Sequence, residues 1–187
     1  MKVLICIDVQ NDFIDGVLGV DKDRKITDRI VKYAEDFQSE GGIVYATKDT
    51  HYDNYLETLE GKNLPVKHCI ESTEGWNIPD KLAEIADVWE KPTFGSLLLM
   101  DYIGGKNFGN IDEIELCGFC TSICVISNAI LLRAKLPNTK ISIIKNLCGD
   151  INEESHQAAL KVAENCQIGI KSLYFSADGW DQEEKAV

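Results

Sequence analysis

The chain has 187 residues, 44% hydrophobic and 27% charged, the proportions of a soluble globular protein with enough length for one domain around a sizeable core. Lys and Arg number 19 against 31 Asp and Glu, and the net charge of −12 argues against a nucleic-acid or anionic-membrane partner. Its seven Cys are odd in number and several lie inside apolar runs, which reads as reduced thiols of a cytoplasmic protein. The start, Met1 to Asp8, turns polar too soon for a secretion signal, and no run reaches the ~20 apolar residues of a membrane helix.

Val3–Ile7 is an unbroken apolar run, as a buried parallel strand requires, and it ends on Asp8. Val9-Gln10-Asn11-Asp12-Phe13 leads into a loop containing Gly16 and Gly19. Ile26, Ile30, Val31, Ala34 and Phe37 recur at helical spacing over residues 24–39, and Gly41-Gly42 stops that helix. A second strand, Ile43–Thr47, runs into Lys48-Asp49-Thr50-His51. The polar stretch from Tyr52 to Glu74 is longer than an ordinary connection, and such loops often carry function. A short helix near Pro79–Ile85 precedes a third strand, Asp87–Glu90, and then Lys91-Pro92-Thr93-Phe94-Gly95-Ser96.

Ile111, Ile114, Leu116 and Cys117 supply a fourth strand, broken by Gly118 and Thr121-Ser122. Val125, Ala129, Leu132 and Leu136 then recur at helical spacing, with Ile126 and Ile130 widening the stripe. Ile141–Ile144 reads as a fifth strand with Asn146–Gly149 as its loop, Glu153–Asn165 as a helix, and Ile168–Ile170 as a sixth strand. The acidic tail from Ser176 reads as loose. Strands alternating with helices predict an α/β fold: three α/β/α layers around a mostly parallel, roughly six-stranded sheet, with a core over about residues 2–170 of a single domain, 1–187. No repeat or linker interrupts it, and without a GxGxxG loop or a P-loop nothing supports nucleotide-phosphate binding.

In an open parallel sheet, ligands bind at the carboxyl ends of the strands. Asp8, Lys91 and Cys124 each follow a strand at that edge. A carboxylate can take a thiol proton and return it to a leaving group, while an ammonium orients the acid and favours thiolate. Cys124 also sits in the first turn of a helix, where unpaired N–H groups favour the thiolate. Alone, an Asp or Lys at a strand end is usually a cap or a solvated charge and a Cys in apolar company is usually core, so the case rests on joint placement.

Asp49 and His51 are two apart and point the same way if strand geometry persists; His68 lies in the long loop that follows. Such a set, with open positions, suits Zn, Fe or Mn holding water, with Glu60 as a fourth contact and Glu57 as the spare. His156, on a polar helical face, reads as a solvated histidine. Cys117-Gly118-Phe119-Cys120 is a CxxC, but Cys117 falls inside the strand where a thioredoxin-like pair would open the helix, so packing is the better account of it.

Five segments in this order resemble the isochorismatase-like cysteine hydrolases, and within them the nicotinamidases: Ile7 to Phe13, Lys48 to His51, Leu64 to Cys69, Glu90 to Ser96 and Gly118 to Val125. The resemblance implies an Asp8–Lys91–Cys124 triad that hydrolyses a small-molecule amide through a cysteine thioester, nicotinamide giving nicotinate and ammonia in NAD salvage. It implies a cis peptide at Phe119–Cys120 and an oxyanion hole from the backbone N–H groups of Cys120 and Cys124. It also implies one divalent metal, zinc ahead of iron or manganese, on Asp49, His51 and His68 with Glu60, and Phe13 packing on the substrate ring. Two positions depart from the family pattern. Ser122 stands where the family often has Asp, and Leu64 fills the place of an aromatic, with one extra residue before His68. A relative acting on another small amide or ureido compound, an isochorismatase-like hydrolase, and a non-catalytic binding protein are the alternatives. Self-association into a homo-oligomer stays open.

Overall fold

The computed structural model describes residues 1–105, 109–176 and 179–185. Its frame is a seven-stranded sheet in the order β3-β2-β1-β4-β5-β6-β7: β1 (Lys2–Ile7), β2 (Ile43–Asp49), β3 (Asp87–Lys91), β4 (Glu113–Phe119), β5 (Lys140–Gly149), β6 (Gly169–Ser176) and β7 (Gly179–Lys185). The first six run parallel, and β7 alone is antiparallel to β6. Val3, Leu4, Ile5, Cys6 and Ile7 are fully buried, which is why β1 reads as continuous apolar sequence. The strand count exceeds the expected six because Gly179–Lys185, within the acidic tail expected to be loose, pairs with β6.

Two further boundaries differ from expectation. Asn146–Gly149 is no loop but the second half of β5, and β4 continues through Gly118 to Phe119. Gly118 fits inside a strand because a neighbouring backbone is so close: its φ is +117°, and a Cβ there would meet Ile7 O at 2.0 Å.

Helices α1 (Asn11–Ile14), α2 (Lys25–Ser39), α3 (Leu59–Asn63), α4 (Asp80–Ile85), α5 (Leu97–Ile103), α6 (Ile126–Lys135) and α7 (Glu153–Asn165) connect and flank the strands. Val125 just before α6, and Ala129 and Leu132 on it, bury as expected, but Ile130 is 40% exposed and Asn128 takes an inward position instead. None of the helices is long and apolar enough to cross a membrane among the described residues. The chain goes outward from β1 to β2 and β3, then returns to start β4 on the other side of β1. That reversal of strand order opens a crevice at the carboxyl ends of β1 and β4.

Candidate active site

Asp8 is the first residue beyond β1. Its N–H reaches Thr47 O at 3.2 Å and Thr47 Oγ1 at 3.1 Å, and the Thr47 hydroxyl donates to Asp8 Oδ1 at 2.6 Å. These bonds hold a φ of +49°, a left-handed conformation that a non-glycine keeps only where its surroundings enforce it. Lys91 closes β3 and is 1% exposed. Its Nζ stands 2.7 Å from Asp8 Oδ2, 3.4 Å from Asp49 Oδ1 and 3.6 Å from Cys124 Sγ. Beyond that ammonium, Asp8 Oδ2 receives no aligned hydrogen bond among the described residues. The structure thus brings Asp8, Lys91 and Cys124 together, as their strand-end positions implied.

The protonation states differ from the sequence expectation. Burial, joined by the Asp8 and Asp49 charges and opposed by Lys91, pushes the Cys124 thiol well above its ordinary range. Helix-end N–H groups and one ammonium do not overcome desolvation, so the resting group is a thiol rather than a thiolate. Burial also raises Asp8, against the pull of Lys91. Burial would lower Lys91, but the Asp8 and Asp49 carboxylates oppose it and keep the ammonium charged. A neutral thiol thus faces a carboxylate made more basic by its surroundings, the arrangement in which a proton moves when substrate arrives.

Cys124 rides on a turn of π-helix, Thr121–Val125, entered through a cis Phe119–Cys120 peptide. Cys120 O accepts from Ile123 N at 3.2 Å and Val125 N at 3.1 Å. Asn128 donates to Cys124 O at 2.8 Å and accepts Ser96 N at 2.9 Å, tying the turn to the segment after Lys91. His156 is not the solvated histidine its helical face suggested. It is half-buried, its Nδ1 lies 2.8 Å from Thr121 Oγ1, and burial lowers its pKa. Cys117 does not face Cys120; its Sγ lies 3.7 Å from Cys6 Sγ on the neighbouring strand, and all seven cysteines are free.

Asp49, His51, Glu60 and His68 each offer one donor atom, all within 4.8 Å of one another. His51 Nε2 is 3.0 Å from Asp49 Oδ2 and 3.5 Å from Glu60 Oε1; His68 Nε2 is 3.5 Å from Asp49 Oδ2 and 3.8 Å from Glu60 Oε1. Ligands about 2.0–2.1 Å from a tetrahedral zinc stand about 3.3 Å apart, so the set fits a divalent cation. Val66 O, an acceptor only, lies 2.8 Å from His68 Nδ1, which places the hydrogen there and frees Nε2 as a ligand. Burial pulls His51 down, but Asp49 and Glu60 bring it up to about 9. Carboxylates that draw a proton so strongly present the same excess negative charge to a metal. Burial would raise Asp49, yet its bonds to His51 and His68 and the Lys91 charge hold it well below the carboxylate range. Glu57 is exposed and outside the group.

Residues that sequence reasoning did not single out support this geometry. Gln10 Oε1 accepts Asp49 N at 2.7 Å and its Nε2 donates to Asp49 O at 2.9 Å, fixing the ligand backbone from both sides. Asp12 Oδ2 accepts Cys69 N at 2.7 Å, which anchors the loop carrying His68. Both lie in the run Asp8 to Phe13, so their signal was position beside Asp8.

A pocket of about 770 Å³ opens over the two groups, lined among others by Phe13, Leu64, His68, Phe94, Cys120 and Cys124. Phe13 is 7% exposed and meets His68 edge-on, with centroids 5.6 Å apart. Asp21 also lines it, but that carboxylate is spent on the first turn of α2, accepting Thr27 N at 2.7 Å and Ile26 N at 3.1 Å.

Residues 2–171 match the Isochorismatase domain family. The uncharacterized isochorismatase family protein PncA of Bacillus subtilis (strain 168) is 30% identical over 171 residues, covering 85% of this chain and 92% of that protein. Among solved structures, a nicotinamidase/pyrazinamidase PncA from Bacillus subtilis is similar at 28% identity, with TM-score 0.76 over 90% of this chain and 98% of that one. A pyrazinamidase of Pyrococcus horikoshii in complex with zinc shares the fold at 23% identity, with TM-score 0.76 over 90% and 97% of the two chains.

Proposed function

The chain belongs to the isochorismatase family, and on that premise we propose that it is a metal-assisted cysteine amidohydrolase that converts nicotinamide to nicotinate and ammonia, in the service of NAD salvage. One observation carries the reading: Asp49 joins the two halves of the site. Its Oδ1 faces the Lys91 ammonium at 3.4 Å, while its Oδ2 faces His51 at 3.0 Å and His68 at 3.5 Å. Nucleophile and metal donors are therefore built on one carboxylate, beside one pocket.

In this mechanism Asp8 takes the Cys124 proton as Sγ bonds to the amide carbonyl carbon. The carbonyl oxygen gathers charge opposite the N–H groups of Cys120 and Cys124. Asp8, held by Thr47 and Lys91, passes the proton to the departing nitrogen, the C–N bond breaks and ammonia leaves a thioester on Cys124. Asp8 then takes a proton from water, whose oxygen displaces Sγ, and returns it to the thiolate, releasing the acid. Lys91 keeps its charge throughout and stabilises each anion in turn. Asp49, His51, Glu60 and His68 would hold zinc, or iron or manganese, which would supply a Lewis acid toward the substrate ring and water.

The test is ammonia release from nicotinamide by the purified protein, with and without a chelator and with Zn, Fe or Mn restored. Fast release that the chelator stops and metal restores is expected. No release after metal restoration rejects nicotinamide, and small amides and ureido acids become the substrates to screen.

A further inference from the structure

We propose that Asp150, in the junction between β5 and α7, is the positioning residue for the turn that carries Cys124, and that it works with Ser122 as a carboxylate–hydroxyl clamp whose two ends can be exchanged. The inference rests on the amidohydrolase reading for its kinetic consequences, though not for its geometry. Asp150 Oδ2 accepts the Ser122 N–H at 2.6 Å, and Oδ1 accepts the Ser122 hydroxyl at 2.9 Å. Oδ1 also accepts Ile151 N at 2.8 Å, which fixes the carboxylate against its own loop. Both oxygens are thus committed, and both grip one residue of the turn through its main chain and its side chain.

The neighbouring residue is held by the same junction. Thr121 Oγ1 donates to Gly149 O at 3.1 Å. A hydroxyl has one hydrogen, so toward His156 Nδ1, at 2.8 Å, Thr121 accepts, and that nitrogen carries the hydrogen. Gly149, Asp150 and His156 therefore restrain Thr121 and Ser122, the residues that follow Cys120 and precede Cys124 closely. Those cysteines supply the two N–H groups of the oxyanion site. A displacement of about 1 Å in such donors is enough to cost orders of magnitude in rate. Of the anchors, Asp150 makes the charge-assisted bonds, which are roughly twice as strong as neutral ones. Its charge also joins burial in pushing the Cys120 thiol up to about 12, so the second cysteine of the turn stays neutral beside the nucleophile.

Asp150 lies at the pocket wall, so a direct contact with substrate is the rival account. The two differ in which constant they move. Positioning acts on kcat, because the oxyanion donors matter only as charge develops, whereas lost ground-state contact raises KM. The clamp also makes a prediction that simple contact does not. A hydroxyl and a carboxylate can bond from either side, so S122D/D150S should rebuild the side-chain part of the link, though not the two-oxygen grip on the main-chain N–H groups of Ser122 and Ile151.

The experiment uses the full chain, comparing kcat, KM, thermal midpoint and the rate of Cys124 alkylation by iodoacetamide in wild type, D150A, S122A and S122D/D150S. D150A is expected to lose about 100-fold in kcat with KM within threefold, and S122A, which keeps the main-chain bond, about fivefold. Alkylation in D150A should slow at least tenfold, since a shifted turn carries the thiol away from Asp8 and Lys91. S122D/D150S should recover part of the loss, with kcat and alkylation at least fivefold above D150A. A kcat in D150A within twofold of wild type, or a loss confined to KM, overturns the proposal. Should D150A not fold, the exchange decides: an active, folded S122D/D150S supports the clamp, and a folded but inactive one overturns it. A wild type inert toward every amide would count against the amidohydrolase reading instead, and the alkylation series would still judge the clamp.

Discussion

One sheet buries charge at both of its ends, and the two clusters differ in kind. At the amino end, Lys171 Nζ donates to Glu113 and to Glu115, the latter at 2.6 Å; Tyr33 OH donates to Glu115 Oε2 at 2.6 Å, and Lys140 stands 3.2 Å from Glu113. Each carboxylate there has a lysine. At the carboxyl end, the ammonium of Lys91 serves Asp8, Asp49 and Cys124 together, and among the described residues Asp8 Oδ2 receives no aligned hydrogen bond beyond it. That end also opens into the pocket. Buried charge alone therefore marks nothing. A reactive site is marked by charge left incompletely paired, beside a nucleophile and a cavity.

The sharpest way to break the contrast is Cys124→Ala. Removing the nucleophile should lower turnover about 10⁴-fold or more while the circular dichroism and thermal midpoint stay near wild type. Comparable turnover would sink the covalent mechanism. Asp8→Asn comes next, with a loss of about 10³-fold from the missing base. Burial raises Asp8, and the proposed mechanism needs its ionised form. The acid limb of kcat/KM should therefore fall as pH drops through a value above the ordinary ~4 of an aspartate. An acid limb at or below that value would contradict the raised carboxylate.

The amino end should answer in the opposite currency. Lys171→Met leaves Glu115 buried without its cation, and breaking a buried pair costs about 3–5 kcal/mol. The low end, about 3 kcal/mol, is expected here because Lys140 remains on Glu113. Urea denaturation measures that loss, while kcat of the folded fraction should match wild type. A fall in kcat without a fall in stability would merge the two clusters into one functional network.

Sequence read the carboxyl end better than the amino end for a physical reason. Asp8 and Asp49 stand at the ends of buried strands, where a polar side chain announces itself, and Lys91 is the one buried residue of the otherwise exposed β3. Glu113, Glu115 and Lys171 lie within strands, where alternation looks like an ordinary solvated face; only the pairing of β4 with β5 and of β5 with β6 brings them together. His156 failed similarly, because its partner Thr121 is 35 positions away and no local pattern encodes that contact. β7 is hidden in the sequence because an acidic tail reads as loose, whereas the ladder with β6 needs only backbone and an edge. The thiolate expectation weighed the helix end and omitted desolvation, which depends on total burial and is invisible one residue at a time.

The smallest effect expected is at Leu64, and it separates recognition from both clusters. Leu64 is 38% exposed and lines the pocket near Glu60 and His68, so it meets whatever ring enters without touching Asp8, Lys91 or Cys124. An aromatic pair contributes about 0.5–1.5 kcal/mol beyond area burial. Leu64→Phe should accordingly lower KM for nicotinamide by about two- to tenfold, with kcat and the urea midpoint unchanged. Because ring stacking acts alike on ground and transition states, it belongs in KM. An unchanged KM would mean that the substrate ring lies against Phe13 alone, and a raised one that the pocket needs the space Leu64 leaves for a bulkier amide.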